Sequence, residues 1–433
     1  MNDKLKFIML SAGLGKRMQP LSAHYLPKPM FPLGGSVPIS ELWVKKAVEC
    51  GIRDISMNVS VLSQTIMEYF NDGSRFGANI SYIEEKEPSG TLGGVCKQVL
   101  GNNAKQVNKD EIPLRNEEFS GETLIVVSAD IISSFSARDL REMYKLHKSK
   151  KAAMTILLTP IPDDKKGEFG TVELADIETI NSGISSIGRI KAFWEKRPDS
   201  PSNLNNASVY LIEKEFLKYI DRFRTPASLD EKKPFYDFGK HVFPAMLGNL
   251  DYLKLPKEFK LYGAVYNGLW LDVGRKRDYL DVNKMVLDGK LDIALPYKKQ
   301  DWGYLGNNTI VDLNKVKIIP PVIIGDNCLI ENGAELGPYA SIGDGWKISA
   351  SCRVANSILW ERLSYFGGGG KVFSTEECKK FDNHELTDKA NIENCIIAGG
   401  AVNRDLKEKV IEADPKGGLS VLPIDYIPAG KRA

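Results

Sequence analysis

"SAGLGKRMQPLSAHYLPKPM", residues 11–30, follows a short apolar run, and the junction between the two decides how the N-terminal fold is interpreted. The apolar run at residues 7–10 predicts a buried strand. The stretch after it, which we call the glycine loop, contains the cations Arg17 and Lys28. Glycines let main-chain N–H groups surround phosphate oxygens, and the cations add positive charge. The sequence therefore predicts an anion-binding loop at the end of a strand.

Two familiar phosphate-binding motifs do not fit the glycine loop. The dinucleotide fingerprint G-x-G-x-x-G requires a third glycine at the place where Met18 stands. The Walker A motif needs four residues between its glycines, but Gly13 and Gly15 are one residue apart. It also needs a hydroxyl after its lysine, and Arg17 follows Lys16. A glycine turn with solvated charges is the alternative that this loop alone leaves open.

Composition excludes several classes of function. The chain has 433 residues, 42% of them hydrophobic, which predicts two or three domains. Its formal net charge is only +2, so neither a nucleic acid nor a membrane is expected as a partner. The six cysteines are scattered, without the spacing of a zinc site or a disulfide framework. With no signal peptide or spanning helix in view, we expect a cytoplasmic protein.

Up to about residue 290, short apolar runs alternate with helix-like stretches. The strand-like runs are residues 7–10, 55–59, 80–83 and 124–127, and the helix-like stretches are residues 39–50, 63–70 and 92–100. This alternation predicts an α/β domain with a Rossmann-like open sheet, in which ligands bind at the C-terminal ends of the strands.

A different pattern begins near residue 318, where aliphatic side chains recur every six residues. They are Ile318, Ile324, Ile330, Leu336, Ile342, Ile348 and Val354. A period of six fits a solenoid whose coils point one aliphatic side chain inward per segment, and an irregular all-β domain is the alternative. We expect a linker at 291–310, the repeats at 311–410 with an inserted loop at about 366–390, and an irregular C-terminal tail at 411–433.

Blocks along nearly the whole chain resemble, in the correct order, the sugar-1-phosphate nucleotidylyltransferases, also called NDP-sugar pyrophosphorylases. Residues 10–30 are similar to the family signature G-x-G-x-R-M/L-x-P-L-T…P-K-P. The other blocks are EEKEPSGTLGGV (84–95), similar to the nucleotide-base block; LIVVSADI (124–131), similar to the metal block; EFGTVEL (168–174) and IKAFWEKRPDSPSNLNNASVYLI (190–212), similar to the sugar blocks; and GLWLDVGRKRDYLDVNKMVL (268–287), similar to the last block.

The resemblance implies that an NTP and a hexose 1-phosphate react to give an NDP-sugar and pyrophosphate, with Mg²⁺ as cofactor. The pattern of blocks favours a mannose-1-phosphate guanylyltransferase or a glucose-1-phosphate nucleotidylyltransferase. In related enzymes a hexapeptide-repeat left-handed β-helix commonly follows the catalytic domain. The resemblance therefore implies a nucleotidyltransferase domain with a mixed sheet at 1–290, a left-handed β-helix after it, and a homo-oligomer assembled through the β-helix.

Roles for individual residues also come from the resemblance. Arg17 and Lys28 would be catalytic, and Asp130 and Asp272 would bind Mg²⁺, because carboxylates and phosphate oxygens suit this ion. The implied nucleotide-binding residues are Leu10, Ala12, Gly13, Gly15, Glu87, Gly90 and Thr91. The implied sugar-phosphate-binding residues are Gly170, Glu195, Lys196 and Asn206. For either aspartate alone, a turn or helix N-cap is the structural alternative.

Two other functions stay open. A non-catalytic regulatory or sugar-nucleotide-binding subunit would be expected to lack some of the charged residues of the chemistry. All of them are present: Arg17, Lys28, Asp130, Lys196 and Asp272. An acyltransferase in the repeats would generally use a histidine base, and His384 is the only histidine after residue 290. Departures from the family pattern, such as Ala129 and Ser208 at usual glycines, leave the base and the sugar open.

Overall fold

The computed structural model describes residues 5–86, 89–100, 123–217, 219, 237–249, 255, 259–360, 384–413 and 419–428. The chain forms two compact units. Unit 1 contains residues up to 13, 43–60 and 70–271, and unit 2 contains residues 14–42, 61–69 and from 272 onward. The two units interleave along the chain, whereas the sequence predicts consecutive domains, so the functional domain limits stay a prediction.

The elements up to residue 287 follow the predicted alternation of strands and helices. The strands are β1 (Leu5–Leu10), β2 (Pro32–Leu33), β3 (Val37–Pro38), β4 (Asp54–Val59), β5 (Asn79–Glu84), β6 (Thr123–Ser128), β7 (Ile131–Ser133), β8 (Met154–Pro160), β9 (Gly170–Thr179), β10 (Ile184–Glu195), β11 (Leu204–Glu213), β12 (Leu261–Tyr266) and β13 (Trp270–Asp272). The helices are α1 (Leu21–His24), α2 (Ile39–Glu49), α3 (Ser63–Phe70), α4 (Gly90–Leu100), α5 (Ala137–Ser149), α6 (Lys214–Leu217), α7 (Phe243–Met246) and α8 (Lys276–Leu287).

Unit 1 is built on a nine-stranded mixed sheet with the order β5-β4-β1-β6-β11-β8-β12-β10-β9. The first four strands are parallel, and β11 is antiparallel to both β6 and β8. Strand β6 lies inside the sheet, and its residues 124–127 are fully buried, as expected for a central parallel strand covered on both faces. The α/β class and the mixed sheet predicted from the sequence are confirmed.

The C-terminal repeats of unit 2 are built from short strands. They are β14 (Lys298–Gln300), β15 (Gly303–Leu305), β16 (Ile310–Val311), β17 (Lys317–Ile318), β18 (Val322–Ile324), β19 (Leu329–Ile330), β20 (Glu335–Leu336), β21 (Ala340–Ile342), β22 (Lys347–Ile348), β23 (Arg353–Ala355), β24 (Ser357–Leu359), β25 (Glu385–Leu386), β26 (Asn391–Glu393), β27 (Ile396–Ile397), β28 (Ala401–Val402), β29 (Leu406–Lys407), β30 (Lys409–Ala413) and β31 (Leu419–Pro423).

From β15 to β30 these strands wind through three sheets, and each strand pairs in parallel with the third one after it. Ile324 pairs with Ile342, eighteen residues later, which is three six-residue segments. Both side chains are fully buried in one aliphatic core. The six-residue period therefore marks the inward positions of a repeated coil, an arrangement compatible with a β-helix.

Two parts of the repeat region differ from expectation. Leu386 pairs with Ile348 and is buried, so the coil resumes before residue 390. Residues 361–383, most of the predicted insertion, lie outside the described residues. The tail is not irregular throughout, because β31 pairs antiparallel with β30. Val421 of β31 is partly buried and packs against the aliphatic core.

Candidate active site

The C-terminal ends of three parallel strands meet at one level in unit 1. Leu10 of β1 pairs with Asn58 of β4 on one side and with Ser128 of β6 on the other. Just beyond this level, the Ser11 N–H donates to Asn58 Oδ1 at 2.8 Å, and the Ala129 N–H donates to the Leu10 carbonyl at 3.0 Å. The start of the glycine loop and the turn that carries Asp130 are therefore fixed to the same sheet edge.

A buried carboxylate, Glu85, organises the predicted base-binding segment. It accepts hydrogen bonds from Asn58 Nδ2 at 2.6 Å and from the Ser89 hydroxyl at 2.6 Å, and it pairs with Lys97 Nζ at 3.3 Å. Only 3% of Glu85 is exposed. Nothing in the local sequence singles out Glu85, because it stands in the charged run at 84–87, which is typical of a solvated surface.

The first turn of α4 carries two of the predicted nucleotide-binding residues. Gly90 has a φ of +78°, a conformation that favours glycine. The Thr91 hydroxyl accepts from the Phe238 N–H at 3.0 Å and lies 3.4 Å from Asp237 Oδ2. Its side chain thus links α4 to the 237–242 segment. Glu87, also predicted here, lies outside the described residues.

The predicted sugar-binding residues Gly170 and Glu195 lie together at the paired ends of β9 and β10. A Cβ at Gly170 would stand 2.5 Å from the Phe193 ring and 3.0 Å from Glu195 Oε2, so glycine is required there. Burial raises the pKa of Glu195, and the nearby charge of Asp237 raises it further. This carboxyl group therefore takes up a proton more readily than an exposed glutamate.

Asn206 is hydrogen-bonded to Tyr210, which lies near the carboxyl groups of Glu195 and Asp237. Its Nδ2 donates to Tyr210 Oη at 3.0 Å, and its Oδ1 accepts from the Ser208 N–H at 3.0 Å. Burial raises the pKa of Tyr210, and the negative charges of Asp237 and Glu195 add to that effect. Ser208 adopts a left-handed φ of +58° at an irregularity between β11 and β8. This conformation explains why a glycine suits the position, and this chain adopts it with serine.

In unit 2, the glycine loop makes tight turns around its cations. Gly15 has a left-handed φ of +55°, and its carbonyl accepts from the Ser22 hydroxyl at 2.8 Å. Arg17 follows in a 3₁₀ turn at Lys16–Met18, and Lys28 starts another at Lys28–Met30. A Cβ at Gly13, in unit 1, would meet no atom within 4 Å, so protein packing alone does not require glycine there.

Arg17 and Lys28 converge on Asp272, which follows them by more than 240 residues. Lys28 Nζ donates to Asp272 Oδ1 at 2.8 Å, and Arg17 Nη2 lies 3.7 Å from Asp272 Oδ2. Only 9% of the Lys28 side chain is exposed, whereas Arg17 is 40% exposed. A Cβ at Gly274 would stand 3.0 Å from Arg17 Nη2, so the last block leaves room for the guanidinium. The structure thus brings three predicted residues together.

Taken together, the predicted site residues are distributed between the two units. Unit 1 contains Leu10, Ala12, Gly13, Gly90, Thr91, Asp130, Gly170, Glu195, Lys196 and Asn206, and unit 2 contains Gly15, Arg17, Lys28 and Asp272. Asp130 and Asp272 belong to different units, so their joint role as metal ligands stays a prediction. Within the described ranges, no three or more His, Cys, Asp or Glu side chains form a group that could hold a metal ion.

The chain also matches a known protein family over more than half of its length. The model of the family described as nucleotidyl transferase matches residues 6–289. This match covers more than half of the chain, so the protein belongs to the nucleotidyl transferase family. No helix in the described residues is both long and apolar enough to cross a membrane.

Individual relatives indicate which kind of nucleotidyl transferase the chain resembles. The chain is 28% identical over 374 residues to a UTP–glucose-1-phosphate uridylyltransferase of Synechocystis sp., covering 85% of this chain and 86% of the relative. It is 27% identical over 350 residues to a mannose-1-phosphate guanylyltransferase of Mycobacterium tuberculosis, with 80% and 81% covered. It is 28% identical over 327 residues to a mannose-1-phosphate guanylyltransferase catalytic subunit beta of Danio rerio, with 75% and 74% covered. These homologues are sugar-1-phosphate nucleotidyltransferases.

Proposed function

We propose that this protein transfers a nucleotidyl group from an NTP to a hexose 1-phosphate and releases pyrophosphate. The acceptor is glucose 1-phosphate or mannose 1-phosphate, as in the names of the relatives. The observation that carries this proposal is the convergence of Arg17 and Lys28 on Asp272. Two cations beside a glycine turn form a site for a triphosphate, and the family membership supports the same reaction.

In this reaction the protein must offset the electrostatic repulsion between its two phosphorylated substrates, and it forms no covalent intermediate. A phosphate oxygen of the sugar phosphate attacks the α-phosphorus in line, and the bond from that phosphorus to pyrophosphate breaks. Each pair of like charges about 4 Å apart costs about 4 kcal/mol at an effective dielectric constant of 20. Arg17 and Lys28 would offset this repulsion and the charge that develops on the leaving pyrophosphate.

Asp130 and Asp272 would hold Mg²⁺. Two carboxylates without further protein ligands suit this ion, which keeps several waters and shares phosphate oxygens. When bound, Mg²⁺ supplies positive charge to the triphosphate. Because Asp272 already accepts from Lys28, the same carboxylate would orient both the lysine and the ion.

The acceptor would bind in unit 1. Glu195 and Asn206 are suited to the hydroxyls of a hexose, and Gly170 leaves space beside them. Lys196 directly follows Glu195 and would hold the phosphate of the sugar phosphate. The base would lie along residues 87–91, with the N-terminal residues of the glycine loop near the triphosphate.

For the repeats, we propose a left-handed β-helix through which the protein forms a homo-oligomer. A separate acyltransferase activity is not favoured, because His384 is buried and its ring packs against Trp346 with centroids 5.0 Å apart. We also propose a cytoplasmic location, which suits cysteines whose spacing along the chain gives no disulfide framework.

The test is a matrix of the common NTPs against hexose 1-phosphates, read out as pyrophosphate release. We expect turnover with glucose 1-phosphate or mannose 1-phosphate and one preferred base. Arg17→Ala should abolish turnover while leaving the circular dichroism spectrum unchanged. Inactivity of the wild-type protein in every combination would favour the regulatory-subunit alternative, and consumption of acetyl-CoA with a hexosamine phosphate would favour the acyltransferase.

A further inference from the structure

Lys276, the first residue of α8, makes contacts that the proposed reaction does not use. Only 2% of it is exposed. Its Nζ donates to the main-chain carbonyl of Arg17 at 3.0 Å and to that of Tyr426 at 2.7 Å. One ammonium group thus joins the glycine loop to a segment near the C-terminus, and all three residues belong to unit 2.

Stability alone gives little reason for a lysine at this position. Burial lowers the pKa of Lys276 to about 8, which reflects the cost of removing an ammonium group from water. The N-terminus of a helix also disfavours positive charge, because its free N–H groups carry partial positive charge. The two carbonyls offset these costs by accepting hydrogen bonds from the ammonium group.

The segment that contains Tyr426 is itself held by several contacts. Arg277 forms a two-pronged ion pair with Asp425, at 2.8 Å from Nε to Oδ1 and 2.7 Å from Nη2 to Oδ2. The Ile424 N–H donates to the Glu408 carbonyl at 2.9 Å, and the Tyr426 N–H donates to the carbonyl of Pro423, the last residue of β31, at 2.9 Å. We call residues 424–426 the C-terminal anchor.

The other end of the link is the residue proposed to steady the phosphates. The Arg17 carbonyl is held by Lys276, and its guanidinium lies beside Asp272 and against the main chain at Gly274. A shift of the Arg17 main chain would move the guanidinium away from this position. Displacements of about 1 Å in a catalytic group can cost about a hundredfold in rate.

We propose that Lys276 is a positioning residue that, braced by the C-terminal anchor, sets where the Arg17 guanidinium meets the triphosphate. This inference rests on the proposed nucleotidyl transfer and deepens it. The C-terminal anchor, which follows the repeats, thereby takes part in the reaction through a single ammonium group.

The experiment compares Lys276→Met with the conservative Lys276→Arg and with Lys284→Met as the matched control. Lys284 lies on the same helix and forms an ion pair with Asp281 at 3.5 Å. For Lys276→Met we expect kcat/KM for the NTP to fall about ten- to a hundredfold, with KM for the sugar phosphate within about twofold of wild type. Lys276→Arg should recover part of the loss, and Lys284→Met should behave as wild type.

A second readout does not depend on activity. Trypsin cleaves after Lys16 and Arg17, and mass spectrometry reports the rate at these two bonds relative to the rest of the chain. Loosening the glycine loop should speed this cleavage about fivefold in Lys276→Met and leave it unchanged in Lys284→Met. If Lys276→Met does not fold, Arg277→Ala serves as the second variant. It removes the exposed ion pair with Asp425 and should change both readouts in the same direction, by about threefold.

The outcomes separate this inference from the proposed function. An inactive wild type with faster cleavage in the variant would overturn the proposed reaction and support the positioning of the loop. Wild-type kinetics and wild-type cleavage in a folded Lys276→Met would overturn the positioning role. A fall in Tm without either effect would leave Lys276 as a structural residue and would also overturn it.

Discussion

Lys28 and Arg17 are cations that the fold brings to one carboxylate, Asp272, although they would otherwise repel each other. The carboxylate accepts from Lys28 Nζ at 2.8 Å and orients this lysine, of whose side chain only 9% is exposed. An arriving triphosphate would share these cations with Asp272, so that the site is preorganised before the substrate binds.

Lys28→Met tests this arrangement. We expect pyrophosphate release to fall at least about a hundredfold, because the variant removes a cation aimed at the phosphates. The measurement is steady-state turnover with saturating sugar phosphate. Lys290→Met is the control, since that lysine forms an exposed ion pair with Asp288 at 2.8 Å. A Lys28→Met protein with more than half of wild-type turnover would contradict the role.

Glu195 should introduce a pH dependence on the sugar side. Burial, together with Asp237, raises the pKa of Glu195, so its carboxylate forms only at a higher pH than is usual for glutamate. If the carboxylate accepts a hydrogen bond from the hexose, KM for the sugar phosphate falls as the pH rises through this raised pKa.

Glu195→Gln should raise that KM about tenfold at pH 8 and remove its dependence on the Glu195 titration. KM for the NTP should change by less than about twofold. Glu173→Gln is the control, because Glu173 pairs with Lys191 on the surface of the same sheet. An unaltered pH profile of the sugar KM in Glu195→Gln would exclude this contact.

At the scale of elements, one carboxylate joins a helix to the central sheet. Glu213 of β11 lies 2.8 Å from His147 Nε2 and 2.9 Å from Lys148 Nζ, both on α5, and accepts from Thr123 of β6 at 2.9 Å. Burial alone would raise the pKa of Glu213. The hydrogen bonds outweigh burial and lower the pKa to about 2.

A lowered pKa in the fold stabilises the protein above the unfolded value of 4.5, and this contribution is lost as the pH falls from there toward 2. Glu213→Gln should therefore reduce the free energy of unfolding by about 2 kcal/mol at pH 7, and the difference should shrink at pH 4 and below. Urea unfolding at several pH values measures this. Glu178→Gln, at an exposed ion pair with Lys150, should cost less than about 0.5 kcal/mol. An equal difference at pH 7 and pH 3.5 would contradict the assignment.

The repeated coil allows a buried and an exposed isoleucine to be compared. Ile342 is fully buried in the aliphatic core, whereas 68% of Ile310 is exposed on the same coil. Ile342→Ala should lower the free energy of unfolding by about 2–5 kcal/mol, because it leaves a cavity. Ile310→Ala should stay within about 0.5 kcal/mol of wild type. Similar costs for the two variants in chemical unfolding would mean that the six-residue period does not mark the core.

For the whole molecule, we expect the proposed reaction to require Mg²⁺ and the folded state to be independent of this ion. We expect EDTA to abolish pyrophosphate release and added Mg²⁺ to restore it, since the triphosphate needs the positive charge. Without substrates, Tm should change by less than about 2 °C, because the described residues form no cluster of three or more metal ligands. A large fall in Tm on chelation would indicate a structural metal instead.

How much of the molecule the sequence predicts depends on how local the signal is. The strand at 124–127 and the repeat from Ile318 are local patterns, and the structure has them where they are predicted. The contact of Arg17 and Lys28 with Asp272 has no local signal in the sequence. Only the resemblance to family motifs indicates that these three residues belong to one site. Glu85 and Lys276 were missed because their burial is produced by partners distant in the sequence, which no local pattern reports.

The antiparallel pairing of β31 with β30 at the end of the eight-stranded sheet has a consequence for solubility. A bare strand at that edge would offer main-chain donors and acceptors to a neighbouring molecule, which is how sheets seed fibres. A chain that turns back on itself occupies this edge with its own backbone. Strand β31 still has an outer edge, but it runs antiparallel to β30 and so does not continue the parallel pairing by which one coil would stack on another. We expect a protein that lacks residues 419–433 to precipitate more readily on concentration.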